Sequence, residues 1–143
     1  MSYFYCLMKI MICASKHMYN LIPSIKEKLE SQGHSIVLPN CFDDPMLEER
    51  IKKDSPDSHS QFKQRMLKEQ EVKIRNVDAV LVMNFEKHGQ ANYIGGATFL
   101  EIFKAFEFGK KIFLMNDVPN NIFEDELKGM DPIVIEQDLS KIV

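Results

Sequence analysis

The stretch richest in chemistry is Asn92-Tyr93-Ile94-Gly95-Gly96-Ala97-Thr98-Phe99-Leu100-Glu101, a glycine pair opening a helical pattern with a carboxylate just over one turn inside it. Glycines let a ligand come close to the backbone, and the free N–H groups of a helix start attract anions. A carboxylate there can serve as a nucleophile. Thr98, Glu101, Lys104 and Glu107 recur at every third position, which leaves two readings of Glu101 open. It is either a solvated or lysine-paired member of a polar series, or an acid turned towards a pocket. A step of three drifts by ~60° per member on a 3.6-residue helix, so these four do not share one face.

Further candidates sit where apolar runs end. Ser15, Lys16 and His17 follow the run 9–14, Asn84 and Phe85 end the run that starts at 79, and Asn116 with Asp117 follows 111–115. Ser15 can hold a phosphate or sugar hydroxyl, or simply cap the next helix. Histidine is the side chain suited to moving a proton near neutral pH, but His17 and His59 read as single loop histidines, and His34, after a helix-ending glycine, reads as structural. Asp78, at the amino end of its strand, also reads as structural. No metal site is expected, because His17, His34, His59 and His88 are scattered and Asp43 with Asp44 suits a turn. No cofactor is expected either: there is no GxGxxG after the first strand, no Walker loop and no GxSxG elbow.

The elements that must position these residues follow from periodicity. The run 9–14 is a short buried strand, and Leu21, Ile22, Ile25 and Leu29 recur at helical spacing up to Gly33. Residues 35–38 form a second strand, and this βαβ order favours parallel pairing. Residues 41–59 carry the prolines, aspartates and serines of an irregular flap with one short helix around 46–53. A helix over 60–76 bears Phe62, Met66, Leu67 and Ile74 on an otherwise polar surface. Strands at 79–84, 111–115 and 133–135 alternate with helices at 97–108 and 120–128. Five such strands predict one α/β domain over 1–143, a doubly wound parallel sheet in the flavodoxin-like order 2-1-3-4-5. Ligands of such sheets bind beyond the carboxyl ends of the strands, where the winding reverses, so the residues just named should converge between strands one and three.

Composition narrows the function classes. The chain has 143 residues, 45% of them hydrophobic, and a net charge of −3, which argues against nucleic acid as partner. Cys6, Cys13 and Cys41 lack CxxC spacing, which suggests a reducing, cytoplasmic setting. The apolar start from 3 to 14 is interrupted by Lys9 and is too short to span a bilayer, so no membrane partner is expected; Met8 can open the folded part, with 1–7 as an N-terminal extension. Phe99, Phe103, Phe106 and Phe108 leave helix 97–108 with almost no polar face, which predicts a homo-oligomer through that helix.

Asp78-Ala79-Val80-Leu81-Val82-Met83-Asn84, then Tyr93-Ile94-Gly95-Gly96 through Glu101, then Phe108-Gly109-Lys110-Lys111 before an apolar strand, together resemble the nucleoside 2-deoxyribosyltransferase-like superfamily. That group contains base-exchanging transferases and deoxynucleotide N-hydrolases. The likeness in order and spacing covers 9–115, its specific part 78–111. It implies that Glu101 attacks the anomeric carbon of a deoxynucleoside or its 5′-monophosphate, with Ser15, Lys16, His17, Asn84, Asn92, Gly95, Gly96 and Asn116 shaping the substrate pocket. The transferases resembled carry an aspartate six residues before the nucleophile, where this chain has Gly95. Hydrolysis, or a non-catalytic nucleotide or nucleotide-sugar binding module, is therefore expected ahead of base exchange.

Overall fold

A computed structural model describes residues 7–143, so Cys6 and all but the last residue of the expected N-terminal extension lie outside the described residues. Strand β1 (Lys9–Cys13) sets the geometry, because its side chains alternate between two cores. Ile10 and Ile12 point to one face and Met11 and Cys13 to the other, all at 0% exposure. Each such aliphatic side chain removed from water stabilises the fold by roughly 2 kcal/mol. Around β1 run β2 (Ser35–Val37), β3 (Ala79–Val82), β4 (Lys111–Leu114) and β5 (Ile133–Val134), all parallel, in the order β2-β1-β3-β4-β5. This is the doubly wound, flavodoxin-like α/β sheet that the alternation of strands and helices predicts.

One face is covered by α1 (Ile22–Ser31), entered through a 3₁₀ turn over Lys16–Leu21, and by the C-terminal residues Leu139 and Ile142. The other is covered by α3 (Pro56–Arg75), α4 (Gly96–Glu107) and α5 (Glu124–Gly129) through Ile74, Ile102, Ala105 and Leu127. Asp78 ties the amino ends of the strands together: its carboxylate accepts from the Lys9 N–H at 2.8 Å, and its own N–H donates to the Lys9 carbonyl at 2.8 Å. His34 is buried and accepts the Met8 N–H on Nδ1 at 3.1 Å.

The largest departure from the sequence pattern lies between β2 and β3. Within the expected flap, residues 47–54 form α2 (Leu47–Asp54), and α3 starts four residues before the expected helix. Ser55 caps α3 by accepting the Ser58 N–H at 3.0 Å, and Pro56 occupies its first turn, where a missing N–H costs nothing. Helix α2 buries none of its residues and is fastened by the ion pairs of Lys16 with Glu49, Arg50 with Asp44 and Lys63 with Glu48 (2.6 Å), and by a hydrogen bond between His59 and Glu48 (3.1 Å). Leu67, expected on the apolar stripe of α3, is 41% exposed.

Candidate functional site

Beyond the carboxyl ends of β1, β2 and β3 lies a cavity of about 280 Å³, walled by the segments that follow these strands, by α3 and by the start of α4. Its position matches the switch point between β1 and β3, since the chain leaving β1 passes to α1 on one face of the sheet and the chain leaving β3 passes to α4 on the other. Of the expected site residues, Ser15, Lys16, Gly95, Gly96 and Glu101 line it. Glu101 is 7% exposed and belongs to no ion pair among the described residues, whereas Lys104 pairs with Glu107 at 3.0 Å. The drift around α4 therefore separates Glu101 from the outward polar series. Burial pushes its carboxyl pKa up to about 8, although the neighbouring Cys13 thiol and the Lys73 ammonium act in the opposite direction. Cys13 is raised well above the usual thiol range by its own burial and then by Glu101.

Helix α4 begins at Gly95 without a capping side chain, so its first N–H groups are left for a ligand or water at the cavity edge. A Cβ on Gly95 would stand 2.9 Å from the Tyr93 hydroxyl, and one on Gly96 would meet nothing within 4 Å. Glycine at 95 thus lets the Tyr93 ring lie against the helix start. Ser15 precedes the 3₁₀ turn but makes no side-chain cap; its hydroxyl instead accepts from Lys87 Nζ at 3.3 Å.

Lys87 is a cavity residue that the sequence pattern did not single out. It stands in the β3–α4 loop, where Lys87 and Gln90 exchange backbone hydrogen bonds of 3.0 and 2.9 Å around His88 and Gly89. Their φ angles of 50° and 78° suit a tight two-residue turn of the I′ class. That turn carries the Lys87 ammonium to 4.7 Å above the Tyr93 ring and beside Ser15. Lys16 and Lys63, also on the cavity, are paired with Glu49 and Glu48, whereas Lys87 has no carboxylate partner among the described residues. Tyr19, Asn40, Phe62, Met66 and Gln70 complete the inner wall. Tyr19 donates to the Asn40 carbonyl at 3.0 Å, and its hydroxyl pKa is raised by burial and then by the nearby Glu101.

Four expected site residues lie elsewhere, a correction to the sequence reading. Asn84 is fully buried and locks the ends of β3 and β4: its Nδ2 donates to the Asn116 and Asp117 carbonyls (2.9 and 3.0 Å), and its Oδ1 accepts the Asn116 N–H (3.0 Å). Asn116 returns a bond from its own amide to the Asn84 carbonyl at 3.0 Å. Both stand at strand ends as expected, but their polar groups satisfy each other rather than a ligand. His17 is exposed and packs edge-on against His88 at 5.8 Å; its pKa is lowered by desolvation and then by Lys87 and Lys16. Asn92 adopts φ 57° in the turn before α4, outside the cavity wall.

Asn84→Leu is expected to destabilise the protein by about 2–4 kcal/mol, because it strands three backbone groups at once. Urea unfolding measures this, and a change below ~0.5 kcal/mol would contradict the lock.

Among the described residues, no three His, Cys, Asp or Glu side chains gather as ligands for a metal ion, and no helix is long and apolar enough to cross a membrane. Comparison of the chain with family models, with curated proteins and with solved structures gives no match.

Proposed function

We propose that the chain is an N-glycosidase that binds a deoxynucleoside 5′-monophosphate in this cavity and cleaves its base through Glu101. The observation that carries this reading is a buried carboxyl on a cavity beside the Lys87 ammonium, which stands at the Ser15 hydroxyl, both groups having no ion-pair partner among the described residues. A phosphate placed against Lys87, Ser15 and the free N–H groups opening α4 would leave the sugar next to Glu101. The same resemblance that points to Glu101 from the sequence supports this choice of substrate.

In the proposed reaction the ionised Glu101 carboxylate bonds to C1′ as the C1′–N bond breaks, and the electron pair leaves with the base, which takes up a proton. Water then attacks C1′ of the glycosyl ester, gives its proton to the departing carboxylate and yields 2-deoxyribose 5-phosphate. Gly95, where the resembled transferases have an aspartate, offers no side chain to protonate the base. Solvent is the proton source in this scheme. The experiment is a panel of deoxynucleosides and their monophosphates with free base read by chromatography. Release is expected from monophosphates, and no release from any member would refute the reading.

A specific observation favours a second reading, a nucleotide-binding module without chemistry: with a pKa of about 8, Glu101 is largely protonated at neutral pH. Thermal stabilisation by monophosphates with no turnover at any pH would select it.

We further propose that the chain forms a homo-oligomer through α4. Leu100 and Phe103 of α4, 42% and 40% exposed, line one groove with Leu67 of α3 and with Lys68, Glu71 and Lys104, and Phe106, 50% exposed, lies one turn further along α4 beside the Lys104–Glu107 pair. Mixed charge around an apolar centre suits a second copy of the same face. Light scattering is expected to find an oligomer that Phe103→Glu dissociates; a monomeric parent protein would contradict it.

A further inference from the structure

Cys13 is the last residue of β1 and has no exposed surface, while its two successors, Ala14 and Ser15, line the cavity. Its side chain leaves the sheet on the face covered by α4 and packs in the cluster that holds Ile102 and Ala105 of that helix. Glu101 precedes Ile102 and lines the cavity. The thiol and the carboxyl meet there as hydrogen-bond partners, strand against helix. Among the described residues, no other group hydrogen-bonds to the Glu101 carboxyl.

A thiol is the small donor that a buried strand tolerates. Cys13 ends a run of Ile10, Met11 and Ile12 at 0% exposure, where an aliphatic side chain would bring no proton and an unpaired hydroxyl or amide would be costly to hide. Burial and then Glu101 hold the thiol pKa well above its usual range, so Cys13 keeps its proton while Glu101 ionises. It is therefore a donor and not a second nucleophile. The other titratable groups that face Glu101 are engaged elsewhere: the Lys73 ammonium of α3 donates to the Leu38 carbonyl at 3.0 Å, and the Tyr19 hydroxyl of the 3₁₀ turn donates to Asn40.

We propose that Cys13 is a positioning residue for Glu101: its S–H donates to one oxygen of the ionised carboxylate, which fixes the side chain and leaves the second oxygen for C1′. This rests on the glycosidic reading above. The bond favours the carboxylate over the neutral acid and so opposes the burial that favours the protonated form. The thiol proton stays on sulfur throughout, and no bond to sulfur forms.

Two variants separate positioning from packing. Cys13→Ser keeps a donor on a side chain of nearly the same shape, and Cys13→Ala keeps an apolar residue without one. A thiol that only filled the core would make alanine the better tolerated of the two. Positioning predicts the reverse order in catalysis. Cys13→Ala is expected to lower kcat for base release at least about 10-fold at pH 7, with KM within about 3-fold, and to move the rise of kcat/KM about half a pH unit or more upwards. Cys13→Ser is expected to stay within about 3-fold of the parent.

The infrared S–H stretch reads the same contact without turnover. The Cys13 band, isolated as the difference from the Cys13→Ser spectrum, should move to lower frequency between pH 6 and 9 as Glu101 ionises, and should not move when Glu101→Gln is the background. A static band in the parent, an alanine variant with the parent's kcat and pH profile, or a serine variant no better than alanine overturns the positioning role and leaves the glycosidic reading standing. A moving band in a parent protein that releases no base refutes the glycosidic reading and leaves the thiol–carboxylate contact.

Discussion

Glu101→Gln is expected to lower base release by at least about 10³-fold, because the neutral amide cannot supply the electron pair that bonds to C1′. The substitution keeps size and shape, and it removes a charge that this position holds at a cost. Glu101 is 7% exposed, has no ion-pair partner among the described residues and has its pKa pushed up to about 8 by burial. The variant should thus fold at least as well as the parent above pH 8. Loss of activity accompanied by a higher melting temperature at alkaline pH would assign the defect to chemistry. Retained release in the variant would remove Glu101 from the mechanism.

The pH dependence of the parent protein is the second large effect. As only the carboxylate is nucleophilic, kcat/KM should climb about 10-fold per pH unit below the Glu101 pKa of about 8 and level off above it. Stability should run the opposite way. A carboxyl whose pKa rises from 4.5 to about 8 on folding binds its proton more tightly in the native state. Its contribution is complete below pH 4.5 and declines as pH rises through 8, by roughly 5 kcal/mol in all if no relaxation intervenes. Glu48, Glu49, Asp44 and Asp138 have lowered pKa values and act in the other direction at acid pH. The difference in melting temperature between parent and Glu101→Gln across pH 5–9 isolates the Glu101 part. A flat difference, or activity that falls between pH 6 and 8, would contradict a buried nucleophile.

The architecture was legible because buried parallel strands announce themselves. The Ile-Met-Ile-Cys and Ala-Val-Leu-Val runs have no polar face, and a sheet covered on both sides is the way to hide them. Glu101 was legible for a related reason, a carboxylate on a helix too apolar to be wholly solvated. The rest of the wall was not. Asn40 and Gln70 come from a loop and a mostly polar helix, and nothing in their local spacing says that the Asn40 amide reaches across to the Met66 carbonyl of that helix. Lys87 reaches Ser15 only because His88 and Gly89 turn the chain sharply; the His-Gly pair was the available signal. The early start of α3 could have been read from Ser55-Pro56, a cap followed by a first-turn proline. Asn84 and Asn116 misled because a strand end fixes the height of a side chain above the sheet but not its partner.

The configuration at the anomeric carbon is the most direct measurement of whether the Glu101 carboxylate bonds to the sugar. With a β-deoxynucleoside 5′-monophosphate in buffer containing methanol, two displacements through an ester on Glu101 give the methyl β-glycoside, with configuration retained. An inverted α-product would mean that solvent attacks the sugar directly, and it would contradict the account.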